Sequence, residues 1–331
     1  MQSSFPLISR VVLLVVLVAA LALASICYLL VGDRTHPATV TTVIVPPGTS
    51  FTAAARQVEA AGVAPAWGLR VLERLHGRNG AVTAGKFIFP PHVSVQQAYE
   101  ALKGSALPLA HWVTVPEGFT AAQIAARLRA EGFNRAQNFA RYAASHTIMI
   151  DGYRTRSLEG YLFPSTYLIA DDADAASIAG VMVAEFRRRL PYDAVRQARR
   201  LHQTLPQIVT IASLIEREAK IDGERALMAG IYEHRLALGM PLEVDATLEY
   251  AFAAHHSVIT AADLAHDTPY NSYRHLGLPP TPIANPGLAS LVAAFHPRRT
   301  PYLYYVYRGG GRHAFAATLE EHNQNVARYL R

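Results

Sequence analysis

The sequence predicts an α+β protein in three parts: a single N-terminal apolar helix, a small α+β unit and a larger α+β domain. Three observations lead to this prediction. An uncharged apolar run comes first, short strand–proline–helix segments follow it, and long helical patterns ending in a β-hairpin complete the chain. At 331 residues and 51% hydrophobic content, the chain exceeds one typical domain and can form more than one core.

The apolar run covers residues 11–31 and contains no charged residue. About 20 apolar residues match the hydrocarbon thickness of a bilayer, so we predict one transmembrane helix, preceded by a short N-terminus at 1–10. A cleaved signal peptide is the alternative, with a weak cleavage pattern at Leu21-Ala22-Leu23-Ala24-Ser25, although its apolar core would be shorter, at about 7–15 residues. The charged residues that flank the run signal its orientation poorly.

Composition limits the chemistry that the rest of the chain can perform. The only cysteine, Cys27, lies in the apolar run, so we expect neither disulfides nor thiol chemistry elsewhere. The formal net charge of +6 is modest, and Arg187-Arg188-Arg189 fits a solvated helix end better than a nucleic-acid-binding patch. None of the 14 histidines forms a pair at metal-ligand spacing, so we expect no metal and no cofactor.

A linker at 32–39 is followed by a strand that stops at proline and a helix with Ser or Thr as its N-cap, and this unit occurs three times. The strands are predicted at 42–45, 86–89 and 112–115, and the helices at 51–61, 95–103 and 121–131. Because each unit is too small to be stable alone, the units should pack together. We place a small α+β domain at 40–108 and a larger one at 110–331.

The larger domain contains helical patterns up to Leu205, interrupted by an aromatic, Gly- and Pro-containing loop or short strand at 158–167. The pattern Thr204-x-x-Gln207 is a capping box that begins the next helix. Further helices are predicted at 224–238 and 247–254, followed by a Pro-rich segment and a hairpin with strands at 302–308 and 313–316. The glycine run in that hairpin lacks the Lys-Ser/Thr of a phosphate-binding loop.

The helix that begins at the capping box carries two acids, Glu216 and Glu218, beside an apolar stripe. Burial raises the pKa of a carboxyl, which makes it useful as a proton donor near neutral pH. The two acids lie about 200° apart on a helix, one on each flank of the stripe. Spacing alone does not choose between them, and the interpretation that both are surface acids beside Arg217, Lys220 and Arg225 stays open.

Many short motifs, in order from about 158 to 323, resemble the endolytic murein transglycosylases of the YceG-like family. They are Glu159-Gly160-Tyr161-Leu162-Phe163-Pro164, Ala212-Ser213-Leu214-Ile215-Glu216-Arg217-Glu218, His234-Arg235-Leu236, Gly239-Met240-x-Leu242, Asp245-x-Thr247, Asn271-Ser272-Tyr273, Gly277-Leu278-Pro279-Pro280, Pro301-Tyr302-Leu303-Tyr304, His313-x-Phe315 and His322-Asn323. The N-terminal anchor and a LysM-like subdomain at 40–108 also fit this resemblance. Two departures are Asp245-Ala246-Thr247, where the family often has Asp-Pro-Thr, and Pro164-Ser165, where it often has Pro-Asp.

The resemblance implies a metal-independent lytic transglycosylase in which Glu218 is the single catalytic acid. It would cleave the bond between N-acetylmuramic acid and N-acetylglucosamine in nascent strands and leave 1,6-anhydro ends, acting as a terminase of glycan elongation. The implied substrate-binding residues are Glu216, Tyr161, Arg235, Asp245, Asn271, Tyr273, His313, His322 and Asn323.

The resemblance also implies a location and partners. The protein would be a single-pass protein of the inner (plasma) membrane, with 1–10 in the cytoplasm and the catalytic domain on the periplasmic or extracellular side. Its partners would be glycan strands and peptidoglycan synthases, with no nucleic acid. Two alternatives stay open: a lysozyme-type hydrolase that releases reducing ends, and a non-catalytic wall-binding anchor or scaffold of the cell-wall machinery.

Overall fold

The computed structural model describes residues 7–31, 39–76, 82–104, 106–107, 109–150, 152–252 and 259–330. The chain divides into two compact units, Met1–Ala110 and His111–Arg331. The architecture is α+β, as the sequence predicts, with helices packed around small two-stranded sheets.

The first unit begins with the apolar helix α1 and continues as a small α+β layer. Its elements are α1 (Leu7–Val31), β1 (Thr41–Val45), α2 (Phe51–Ala60), α3 (Ala66–Leu75), β2 (Gly85–Phe89) and α4 (Val95–Lys103). The side chains of residues 11–25 in α1 are exposed. Among the residues described here, no helix meets both the length and the hydropathy required to cross a membrane.

The core of the first unit follows from the alternating burial of its two strands. β1 and β2 pair antiparallel, with Thr41 opposite Phe89 and Val45 opposite Gly85. Alternate side chains of both strands, among them Val43 and Phe87, are buried against α2, α3 and α4. The predicted strands and the helices that begin after Ser50 and Ser94 are present, and both serines accept a hydrogen bond as N-caps. Helix α3 was not predicted.

The second unit carries most of the helices. Its first half contains β3 (Ala110–Thr114), α5 (Ala121–Ala130), a 3₁₀ turn (Asn134–Ala136), α6 (Phe139–Ser145), β4 (Met149–Ile150), β5 (Tyr153–Arg154), β6 (Thr166–Ala170), α7 (Ala175–Arg189) and α8 (Ala194–Arg200). β3 pairs with β6 and β4 with β5. One apolar core joins α5, α6 and α7 to the inner face of β3 and β6.

The second half of this unit is built on one buried helix. Its elements are α9 (Leu205–Glu218), α10 (Asp222–Ala237), α11 (Asp245–Phe252), α12 (Ala261–Ala265), α13 (Leu288–Phe295), β7 (Tyr304–Gly309), β8 (Arg312–Ala316) and α14 (Leu319–Tyr329). β7 and β8 form the predicted antiparallel hairpin. The Thr204–Gln207 capping box is formed, and every residue of α9 from Ile208 to Ile215 is buried. The end of α9 is therefore fixed in position.

Candidate active site

The last turn of α9 directs three charged side chains to three different surroundings. Glu216, Arg217 and Glu218 all follow the buried segment and are themselves partly buried. The helix ends at Glu218, and Ala219 is its C-cap with extended backbone angles. The rigid helix body therefore determines where each of these side chains begins, and tertiary neighbours determine what each can do.

Glu218 lies in the surroundings expected of a proton donor. The pKa of this carboxyl is raised from 4.5 to about 7, first by burial and then by the negative charges of Asp245 and Glu249. A hydrogen bond from Tyr305 and the charge of Lys220 act in the opposite direction. At neutral pH the carboxyl is therefore divided between its two protonation states, as an acid that must later act as a base requires.

Two tyrosines support the groups around Glu218. The hydroxyls of Tyr232 and Tyr305 lie 3.1 Å apart. Either hydroxyl can be the donor in this contact. Tyr273 donates a 2.5 Å hydrogen bond to Asp245, which fixes the carboxylate that acts on Glu218. The site is thus a chain of hydroxyls and carboxyls drawn from α9, α10, α11 and β7.

Glu216 has a structural environment that differs from that of Glu218. Its carboxylate accepts a 3.0 Å hydrogen bond from the backbone N–H of Gly287, the N-cap residue of α13, and lies 3.4 Å from Arg225. Glu117 is nearby, and its pKa is raised mainly by burial and next by the charge of Glu216. Glu216 therefore joins α9 to α13.

Three of the other predicted site residues make buried structural contacts. Arg235 donates to the carbonyls of Leu303, Pro241 and Leu242 and to the carboxylate of Glu243. His313 lies 2.8 Å from the carboxylate of Glu224 through its Nδ1. Asn271 donates to two backbone carbonyls and accepts from the N–H of Tyr273. Each holds a segment that carries a residue near Glu218.

The remaining predicted residues lie apart from these contacts. Tyr161 is in the apolar core, with its ring edge-on to that of Phe186 at 5.3 Å. His322 stacks on Tyr304 at 5.2 Å, and burial lowers its pKa. Asn323 is exposed on α14. Within the described part of the chain, no hydrogen bond or ion pair joins these three residues to the carboxyl of Glu218.

The sequence motifs did not single out several residues that the structure places at the site. Tyr305 and Tyr232 belong to ordinary apolar patterns of a strand and a helix, so the sequence did not indicate that their hydroxyls lie at the site. Tyr305 directly follows a motif that was recognised at Tyr302-Leu303-Tyr304. Glu249 forms a 2.9 Å ion pair with Arg217 and lies one helical turn after Asp245, so the i, i+4 spacing could have indicated it.

A cavity of about 790 Å³ is lined by both members of the Arg217–Glu249 ion pair. Glu159 is buried in its wall and accepts hydrogen bonds from the N–H of Ala121, from Asn285 and from Tyr250. Burial raises the pKa of Glu159 to about 7, against these hydrogen bonds. The cavity and the surroundings of Glu218 thus share the last turn of α9.

No group of three or more His, Cys, Asp or Glu side chains suited to hold a metal ion occurs within the described ranges. The groups around Glu218 are carboxyls and tyrosine hydroxyls, and those around His313 are one carboxylate and aromatic rings. By itself, this arrangement can donate and accept one proton at the carboxyl of Glu218.

Fold and site together define a class: an α+β protein with one acid–base carboxyl of raised pKa at the end of a buried helix. The model of the YceG-like family matches residues 43–328, so the chain belongs to the YceG-like family. A crystal structure of a yceG-like protein from Listeria monocytogenes superimposes with a TM-score of 0.54 and 28% identity, covering 86% of this chain and 98% of that one.

Curated relatives are about a third identical to this chain over the residues that align. The endolytic murein transglycosylase of Bacillus subtilis (strain 168) is 32% identical over 264 residues, covering 75% of this chain and 73% of that protein. The protein of the same name from Streptococcus pneumoniae serotype 2 (strain D39 / NCTC 7466) is 32% identical over 252 residues, covering 67% of this chain. The match spans 45% of that longer relative.

Proposed function

We propose that this protein is a lytic transglycosylase of peptidoglycan and that Glu218 is its catalytic acid. The observation that carries the residue assignment is the pKa of about 7 that burial and Asp245 give to this carboxyl. The activity rests on family membership and on the names of the relatives from Bacillus and Streptococcus.

One carboxyl can perform the whole reaction. Protonated Glu218 gives its proton to the oxygen that joins C1 of N-acetylmuramic acid to N-acetylglucosamine, and the bond from C1 to that oxygen breaks. The resulting carboxylate then removes the proton from the C6 hydroxyl of the same muramoyl residue. That oxygen attacks C1 and closes the 1,6-anhydro ring. Glu218 is protonated again at the end, so no proton is gained or lost.

The residues around Glu218 take supporting roles in this proposal. Tyr305 orients the carboxyl, and Asp245, held by Tyr273, keeps its pKa near neutrality. Asp245 and Tyr273 are also the residues for which we propose direct contact with the sugar, together with His322 and Asn323 on α14. A negative charge near C1 would stabilise the developing oxocarbenium character of the transition state.

Five of the residues implied by the resemblance become positioning residues rather than sugar ligands. The contacts described above fix them within the protein. Glu216 bonds to the start of α13, Arg235 to backbone carbonyls that precede α11 and β7, and His313 to Glu224. Asn271 holds the backbone of Tyr273, and Tyr161 packs in the core.

A second candidate function is hydrolysis of the same bond. The observation in its favour is the second carboxyl, Asp245, whose charge acts on Glu218. Glycosidases that hydrolyse with retention use two carboxyls, one as acid and one as nucleophile. A hydrolase would add water and release reducing ends, whereas the transglycosylase releases anhydro ends that are lighter by one water.

We propose further that the protein is anchored in the plasma membrane by the apolar run at 11–31, with its second unit on the outer side. The support is the apolar sequence of residues 11–31, which contains no charged residue. The LysM-like character of 40–108, the role as a terminase of glycan elongation and the partnership with peptidoglycan synthases rest on the resemblance and are part of this proposal.

The test is product analysis with a matched pair of variants. Purified wild-type protein should convert glycan strands into fragments whose masses correspond to 1,6-anhydro ends. Glu218→Gln should lower kcat by at least about 100-fold, since general acid–base catalysis typically contributes 10²–10⁴. Glu216→Gln, two residues away on the same helix, should retain most of the activity of the folded protein. Reducing ends would favour hydrolysis, and equal losses in both variants would refute the assignment of Glu218.

A further inference from the structure

The cavity beside the last turn of α9 has the properties of a binding site that the reaction at Glu218 does not use. Its volume of about 790 Å³ lies within the range of small-ligand sites. Arg217 lines it and directly precedes Glu218, while Glu249 lines it and also acts on the carboxyl of Glu218. A group bound in this cavity would therefore lie next to the sugar whose bond is cleaved.

The charges of the cavity leave one cation without a partner. Four charged side chains line it: Arg156, Glu159, Arg217 and Glu249. Arg217 and Glu249 neutralise each other at 2.9 Å, and Glu159 is enclosed by its hydrogen-bond donors. Arg156 is exposed and makes no ion pair or hydrogen bond with any other residue that the structure describes. The cavity is thus suited to an anionic group.

Much of the remaining wall is small and apolar, and the hydroxyls of its two tyrosines are already hydrogen-bonded. Alanines supply much of the lining, including Ala122, Ala126 and Ala144, which are exposed. The hydroxyl of Tyr250 donates to Glu159, and that of Tyr270 bonds with Thr281 at 2.7 Å. A sugar ring bound here would bury hydroxyls without enough partners, which is costly. A ligand that presents methyl groups to this wall and a carboxylate to Arg156 would incur less of this cost.

We infer that this cavity binds the peptide branch carried by the muramoyl residue, with Arg156 holding one of its carboxylates. This inference rests on the proposed function. The peptide of peptidoglycan is attached to the lactyl group of muramic acid, contains alanines and carries free carboxylates, so its methyl groups match the alanine wall and its charge matches Arg156. The protein would thus distinguish strands that bear peptides from strands that have lost them.

The first test measures binding without cleavage. N-acetylmuramoyl peptide and N-acetylmuramic acid contain no bond between two sugars, so neither can be a substrate. The full-length protein should bind the muramoyl peptide more tightly than the free sugar. Arg156→Ala should weaken binding of the peptide about tenfold, the equivalent of one charged hydrogen bond. The control is Arg154→Ala, since Arg154 is exposed in the same segment and bonds Thr147 outside the cavity.

A second pair of variants tests the alanine wall. Ala126→Phe places a ring in the cavity from an exposed position of α5 and should abolish binding of the muramoyl peptide. Ala130→Phe adds the same ring to the same helix at an exposed position outside the cavity and should leave binding unchanged. Equal effects of the two substitutions would overturn the assignment of the cavity.

Cleavage assays separate this inference from the proposed function. Wild-type protein should cleave peptide-bearing strands with a lower KM than strands stripped of peptide by an amidase, and Arg156→Ala should remove this difference while leaving cleavage of stripped strands unchanged. Equal KM values in the wild type, with no binding of the muramoyl peptide, would overturn the inference and leave the transglycosylase in place. Binding of the muramoyl peptide without cleavage of either strand would overturn the proposed function and leave the site in place.

Discussion

Two substitutions beside Glu218 should shift its pKa in opposite directions. Tyr305 donates a hydrogen bond that lowers the pKa of this carboxyl, and the charge of Asp245 raises it. Tyr305→Phe should therefore raise the pKa, and Asp245→Asn should lower it. Because a general acid must be protonated to act, the rate falls as pH rises through its pKa. The basic limb of the pH profile of kcat/KM should move up in the first variant and down in the second.

The size of each effect follows from the pKa of about 7 that Glu218 has in the folded protein. A hydrogen bond to a charged group contributes about 1.5–3 kcal/mol, and about 1.4 kcal/mol corresponds to one pKa unit. We take a shift of about one unit for each variant. At pH 7 the protonated fraction is then about one half in the wild type, about nine tenths in Tyr305→Phe and about one tenth in Asp245→Asn. The last variant should thus lose about fivefold in kcat/KM from protonation alone.

The assay is the initial rate of anhydro-product formation between pH 5 and 9 at low glycan concentration, where kcat/KM reports the free enzyme. Glu320→Gln, on the exposed face of α14, is the control for a change of net charge and should leave the profile in place. Changes in absolute rate are expected in both test variants, since both groups also position their neighbours. Profiles that move in the same direction, or that both stay at the wild-type position, would refute the reasoning.

Three further outcomes follow from the structure. Glu159 has a pKa of about 7 in the folded protein, against an ordinary value of 4.5. Its contribution to the free energy of unfolding is therefore full below about pH 4.5 and is lost as pH rises through 7, a decrease of about 3 kcal/mol. Denaturant unfolding of Glu159→Gln, which cannot ionise, should lack this part of the decrease. Gly230→Ala places a Cβ against the carbonyl oxygen of Arg298 and should lower the free energy of unfolding by about 3 kcal/mol, whereas Gly180→Ala, in open space on α7, should raise it by up to about 1 kcal/mol. Activity should survive exhaustive dialysis against EDTA; a loss that one divalent ion restores would contradict a metal-independent mechanism.

Local patterns were the strongest source of correct prediction. The capping box at Thr204 and Gln207, the apolar stripe of α9 and the alternation of Val43 and Val45 each depend on residues close in the chain. Helices α3 and α13 were not predicted. α13 is an uncharged helix of eight residues packed against α9, so its pattern lacks the polar face by which an amphipathic helix is recognised.

The sequence alone determined that two acids flank an apolar helix, and a wheel projection placed them almost symmetrically. Only the tertiary structure distinguished them, because the difference arises from segments distant in the chain. Glu216 meets Gly287 and Arg225 and joins α9 to α13. Glu218 meets Asp245 and Tyr305, and burial together with the charge of Asp245 keeps its proton available near pH 7. The pKa of a carboxyl depends on the charges and solvent within a few ångströms, and the chain sets those only when it folds.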